Sequence, residues 1–128
     1  MGNYNIKEAV ESGNKKVSVN LQMFSFKDGD MFILYCPALD LSSYGMTEDD
    51  AKDSFEQVLE TTITYWINKN TLKKDLLKHG WEIKSTKQRK IKAPSFEKLF
   101  SKSAALRDIL NNKEFKKFDK NIGLPEFA

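Results

Sequence analysis

One cysteine, Cys36, and one histidine, His79, are all that this chain of 128 residues has of the two most versatile catalytic side chains. A lone cysteine builds no disulfide framework and satisfies none of the paired-cysteine spacings of zinc sites. Nothing basic stands beside Cys36 to lower its pKa, so it reads as a small core residue rather than a nucleophile. His79 falls in the last turn of a predicted helix, where a cation or a carbonyl-capping donor is locally favoured. No Gly-rich phosphate loop is present. The longest apolar run, "MFILYC" at 31–36, is far short of the roughly 20 residues that span a bilayer. No signal peptide is read at the start, and Ile6 stands where a myristoylation signal wants Ser or Thr. These absences predict a cytoplasmic protein with no disulfide, no metal, no cofactor and no membrane partner.

What is present is enough for a core. Hydrophobic residues make up 40 % of the chain, with nine Phe, four Tyr and two Trp, and a chain of this length buries about two-thirds of its unfolded surface. The net charge of +3 conceals a polarity: residues 1–64 carry 5 lysines against 11 acids, and residues 65–128 carry 16 basic residues against 7 acids. Such asymmetry points to charged partners.

Read along the chain, "NIKEAVESG" at 5–13 suggests a marginal helix. Val17, Val19, Leu21 and Met23 then alternate with polar residues, the period of a half-buried strand. Phe24 and Phe26 follow on the opposite parity, which predicts a bulge or a second covered surface. "KDGD" is a hairpin turn in which Gly29 supplies positive φ. "MFILYC" is apolar on both parities, as in a strand covered on both faces, and Pro37 ends its pairing. After a short third strand, "LDLSSYG", Thr47 caps a helix opened by Glu48, Asp49 and Asp50. Ala51, Phe55, Val58, Leu59, Thr62 and Trp66 mark its inner face as far as about Asn68. A shorter helix with Leu72, Leu76 and Leu77 inward stops at Gly80, and "WEIKS" alternates as a fourth strand. The predicted order is β-β-β-α-α-β, an α+β domain over residues 1–86. Residues 87–128 read as an appended helical arm. Its leader "KSTKQRKIKAP" is basic, its stripe is Phe96, Leu99, Phe100, Leu106, Ile109 and Leu110, and its tail carries scattered Phe. The arm is expected to serve assembly rather than the core fold.

A two-metal nuclease needs carboxylates that converge on ions about 4 Å apart. Asp28 and Asp30 are explained by the hairpin turn, and the acids at 48–50 by the helix dipole. Only Asp40 lacks a local structural reason, and one acid does not hold two metals. No catalytic residue is assigned. Asp49, Asp53, Glu56 and Glu60, at offsets 0, 4, 7 and 11, form an acidic stripe roughly opposite the apolar face. It is either a solvated helix face or a surface for a basic partner.

The stretch from Tyr35 to Ile83 resembles the HicB-type antitoxins of bacterial and archaeal toxin–antitoxin pairs. The matching features are Cys36-Pro37-x-Leu39, Ser43-x-Gly45-x-Thr47 with Glu48 and Ala51 entering the helix, and Gly80-Trp81 before the last strand. With the preceding hairpin the resemblance covers residues 16–86. It implies a partial ribonuclease H-like fold, with a three-stranded meander, a helix packed on it and a last strand added at an edge. It further implies a non-enzymatic role, the binding and silencing of HicA, a small basic RNA-cleaving toxin, together with repression of the operon. The arm departs from the family's usual pattern. It shows no glycine-turned two-helix unit and no alternating strand to begin a ribbon-helix-helix, so DNA binding is left open.

The reading is therefore a HicB-like antitoxin, a homo-oligomer that neutralises a HicA-like toxin through Asp49, Asp53, Glu56 and Glu60. The alternative is a nucleic-acid-binding regulator using Lys84, Lys87, Arg89, Lys90 and Lys92. A degenerate ribonuclease H-like nuclease stands third.

Overall fold

The computed structural model describes residues 16–85 and 90–125; the helix predicted over 5–13 lies outside them. β1 (Lys16–Asp28) and β2 (Met31–Cys36) form a hairpin closed by Gly29 and Asp30. Gly29 has φ +61°, a left-handed conformation that costs a residue without Cβ little. β3 (Leu41–Gly45) pairs antiparallel with β2. The helices α1 (Glu48–Asn68) and α2 (Leu72–Lys78) follow, and then β4 (Glu82–Ser85). The predicted order thus appears element by element, and the protein belongs to the α+β class. Further on come β5 (Lys90–Lys92), α3 (Phe96–Lys102), α4 (Ala104–Asn112) and β6 (Phe115–Pro125).

Two features differ from the sequence expectation. The four-stranded sheet has the order β3-β2-β1-β6, so the last strand at its edge is β6 and not β4. β4 pairs instead with β5 in a separate two-stranded sheet. Residues 87–128 are also not wholly helical, since β6 runs antiparallel to β1 from Phe26↔Phe115 to Lys16↔Pro125. The alternation that would reveal β6 is disguised. Its residues facing α1 are Lys116, Phe118, Lys120, Ile122 and Leu124, and the two lysines reach acids of α1. Charge there does the work that an apolar side chain does elsewhere in a strand.

The sheet is covered on both faces. Val17, Val19, Leu21 and Met23 of β1, with Leu34 and Cys36 of β2, look toward α1. Phe24 and Tyr35, on the opposite parity, are equally buried and face the segment from β5 onward. The β1–β6 register runs without a shift, so the parity change at Phe24 marks a second covered surface rather than a bulge. Leu99, Leu106, Ile109, Ile122 and Leu124 belong to the same buried cluster as Phe24, Phe55 and Trp81. One core therefore crosses the boundary read at residue 86. Trp81 ties the β4–β5 hairpin to the main sheet, its Nε1 donating to the Ala38 carbonyl at 2.7 Å.

A chain ending at residue 85 is expected to lose its cooperative thermal transition. Ile122 and Leu124 alone contribute about 1.5–3 kcal/mol each by burial, against a typical total of roughly 5–15 kcal/mol. The loss of β6 also strips β1 of its hydrogen-bonding neighbour. Differential scanning calorimetry checks this, and a single sharp endotherm from residues 1–85 would show that the core stands without β6.

Candidate partner-binding surface

The turn from β3 into α1 is built around close backbone approach. A Cβ at Gly45 would stand 2.6 Å from both the Ala51 amide nitrogen and the Asp50 Cβ, so only glycine fits. Buried Ser43 donates to the Ala51 carbonyl at 2.7 Å, pinning the strand to the first turn of the helix. The Thr47 hydroxyl accepts from the Asp50 N–H at 3.0 Å, and Glu48, Asp49 and Asp50 sit at the positive end of the dipole. Each residue of Ser43-x-Gly45-x-Thr47…Ala51 thus has a mechanical task.

Seated this way, α1 presents three distinct lines of residues to its surroundings. Ala51, Phe55, Leu59 and Ile63 are buried against the sheet; Ile63 joins this line, and Val58, Thr62 and Trp66 are only half-buried. Asp49, Asp53, Gln57, Thr61 and Tyr65 form the outer line, exposed at every turn. Glu48, Lys52, Glu56 and Glu60 lie on the flank toward β6. The acidic stripe is therefore divided between two lines. On the flank, Glu48 pairs with Lys116 at 3.4 Å, Glu56 pairs with Lys120, and Lys52 sits 5.1 Å from the centre of the Phe118 ring. Partial burial lowers the Lys120 ammonium pKa from its ordinary value. On the outer line, Asp49 and Asp53 have no cation within ion-pair distance among the described residues.

Of the basic set considered for nucleic acid, Lys84 lies on β4 and Lys90 and Lys92 on β5. Lys84 and Lys92 are exposed, Lys90 begins β5, and Lys87 and Arg89 lie outside the described residues. Lys92 faces Glu82 across the hairpin. Among the described residues no three His, Cys, Asp or Glu side chains gather as metal ligands, and no helix is long and apolar enough to cross a membrane.

Asp40, which had no local explanation in the sequence, has one in the fold. It adopts φ +51°, a left-handed conformation that Asp tolerates better than most residues. Its carboxylate accepts from the Tyr35 hydroxyl at 2.8 Å. The Ser103 hydroxyl meets the same phenol oxygen at 3.0 Å and accepts from the Leu106 N–H as the cap of α4. This polar chain joins the β2–β3 turn to α4. Burial first, and Asp40 after it, push the Tyr35 phenol up to about 12. Cys36 is fully buried, and burial pushes its thiol up to about 12 as well.

Comparison with known protein-family models, curated proteins and solved structures finds no match to this chain.

Two expectations follow from this geometry. Replacing Gly45 by Ala should destabilise the protein by about 2–3 kcal/mol, because the methyl meets backbone that cannot swing away; chemical denaturation measures it. Cys36 and Tyr35 hold their protons to higher pH in the folded chain than in the unfolded one. Their contribution is complete below the ordinary thiol value of 9.0 and drains away as pH rises toward about 12. The urea midpoint should therefore fall steeply above pH 9, and less steeply in Cys36→Ala.

Proposed function

We propose that the protein is a non-enzymatic binding module that captures a basic protein. More specifically, it acts as a HicB-like antitoxin, with a partial ribonuclease H-like fold, that neutralises a small basic RNA-cleaving toxin of HicA type. The observation that carries the reading is the outer line of α1, exposed from Asp49 to Tyr65 over more than four turns, with two carboxylates at its start that are unpaired among the described residues. An RNA-cleaving toxin has to present positive charge to phosphates, and an inhibitor gains association rate by meeting that surface with negative charge. Glu48 and Glu56 are occupied by lysines of the same chain, so Asp49 and Asp53 are the acids through which a basic partner is steered. Exposed Tyr65, beneath the Lys69 ammonium, ends the same line with an aromatic anchor. Among the described residues β3 has a neighbouring strand on one side only, which offers a second surface for a partner strand.

The test uses the small basic protein encoded beside this chain. The full-length chain should bind it and suppress its RNA cleavage. Replacing Asp49 and Asp53 by Asn should slow association roughly tenfold at low salt and flatten the salt dependence, with the melting temperature nearly unchanged. Glu56→Gln should show the opposite pattern, a modest loss of stability with association retained. Unchanged association in Asp49→Asn/Asp53→Asn across a salt titration would overturn the outer line as the docking surface. Failure to suppress cleavage would overturn the antitoxin reading.

A further inference from the structure

A cavity of about 280 Å³ opens where the end of α2, the junction of α3 and α4, and the β2–β3 turn meet. Its walls carry Lys78, Lys98 and Lys102, with His79 and Tyr35 beside them and one carboxylate, Asp40. These cations come from two separate helices and not from the basic set considered above. Asp40 does not neutralise them, because none of the three lysines has a carboxylate within ion-pair distance among the described residues. One oxygen of Asp40 is already engaged by the Tyr35 hydroxyl.

The lysines are also drawn together. Gly80, with φ +90°, ends α2 and leaves its carbonyl to accept from the Lys98 ammonium at 2.8 Å. A Cβ at Gly80 would stand 3.5 Å from Lys102 Nζ and 3.6 Å from Lys98 Nζ, so two ammonium groups converge over this one glycine. Lys98 and Lys102 stand four residues apart on α3, where like charges oppose the helix. His79 is committed on one side, its Nδ1 donating to the Asp75 carbonyl at 2.8 Å, which fixes the proton on Nδ1. A pocket that gathers uncompensated ammonium groups is stabilised by a compact anion of high charge.

We infer that this cavity binds a phosphate group carried by a small molecule, with Lys102 and Lys78, which have no ion-pair partner among the described residues, as its cations and Lys98 held in place by the Gly80 carbonyl. A phosphate monoester carries about −1.5 to −2 charges at neutral pH and offers three acceptor oxygens, enough to engage more than one ammonium at once. The volume lies near the lower end of small-molecule pockets, roughly 300–1,000 Å³, which suits a phosphate with a small organic group. The site is independent of the docking surface on α1 and makes no use of Asp49 or Asp53.

The experiment is calorimetric titration and thermal shift of the full chain with inorganic phosphate, adenosine 5′-monophosphate and a short single-stranded oligonucleotide, each at constant ionic strength set with chloride. Phosphate and the mononucleotide should raise the melting temperature, and Lys78→Gln/Lys102→Gln should weaken both at least tenfold. Both lysines are exposed, so the variant should keep the circular dichroism spectrum of the parent. Lys73→Gln, exposed on α2 outside the cavity, should bind as the parent does. Stronger binding of the mononucleotide than of inorganic phosphate would identify a phosphate ester as the ligand; equal binding would identify the free ion. No stabilisation beyond chloride, an unchanged response in Lys78→Gln/Lys102→Gln, or binding confined to the oligonucleotide would each overturn the inference.

Discussion

The pairing of β1 with β6 is the constraint on which the rest of this structure depends. It places Lys116 and Lys120 against the acids of α1, so part of the charge separation between the two halves of the chain is closed inside the molecule. It also sets Ile122 and Leu124 beside Val19 and Val17, completing the face on which α1 lies. Because β6 follows directly on α4, the same pairing anchors one end of the segment that covers Phe24 and Tyr35. The ring of Phe115, the first residue of β6, packs against Phe24 with centroids 5.9 Å apart. Ion pairs at partly exposed positions such as Glu48–Lys116 contribute little stability, so burial and ladder hydrogen bonds hold the strand, and the alternation of buried side chains sets its register.

Closing charge inside the chain changes what the surface presents. A count of acids on α1 suggests one stripe of four, whereas the fold assigns Glu56 to β6 and leaves Asp49 and Asp53 facing outward. The charge on the outer line of α1 is thus negative at its start, while the cavity between α2 and the α3–α4 junction gathers lysines. The proposed basic partner and the proposed phosphate-bearing ligand would therefore use separate sets of residues, and neither need displace the other.

Much of this could be read from residue patterns, and what could not has a physical reason. The helix α1 announced itself through Thr47, the acids after it and apolar residues at helical spacing. β2 announced that it is covered on both faces, because "MFILYC" is apolar on both parities. Phe24 and Phe26 pointed to a bulge or a second covered surface, and the unshifted register of β1 and β6 decides for the second. β6 escaped because two of its residues facing α1 are lysines, and periodicity detects apolar side chains and not charges that find partners 64 and 68 residues away. The role of Asp40 escaped because the Tyr35 hydroxyl it accepts from is brought to it only by the turn, and the Ser103 that completes the chain stands 68 residues from Tyr35. The lysine cavity has no linear signature, because Lys78 and Lys102 meet only when α2 and α3 are folded together.

Gly45 and β6 act at opposite ends of the folding process. The meander and its elbow involve neighbours in sequence and can form as soon as residues 16–68 are available. β1, however, keeps one edge bare until residues 115–125 leave the ribosome, and pairing Lys16 with Pro125 closes a loop of more than a hundred residues. During that interval a long apolar strand is open to strands of other chains. The nascent protein is therefore at its most aggregation-prone just before synthesis of β6. Anything that slows elongation between α1 and β6 lengthens that exposure, and a chaperone engaging this chain would find its binding site on the β1 edge.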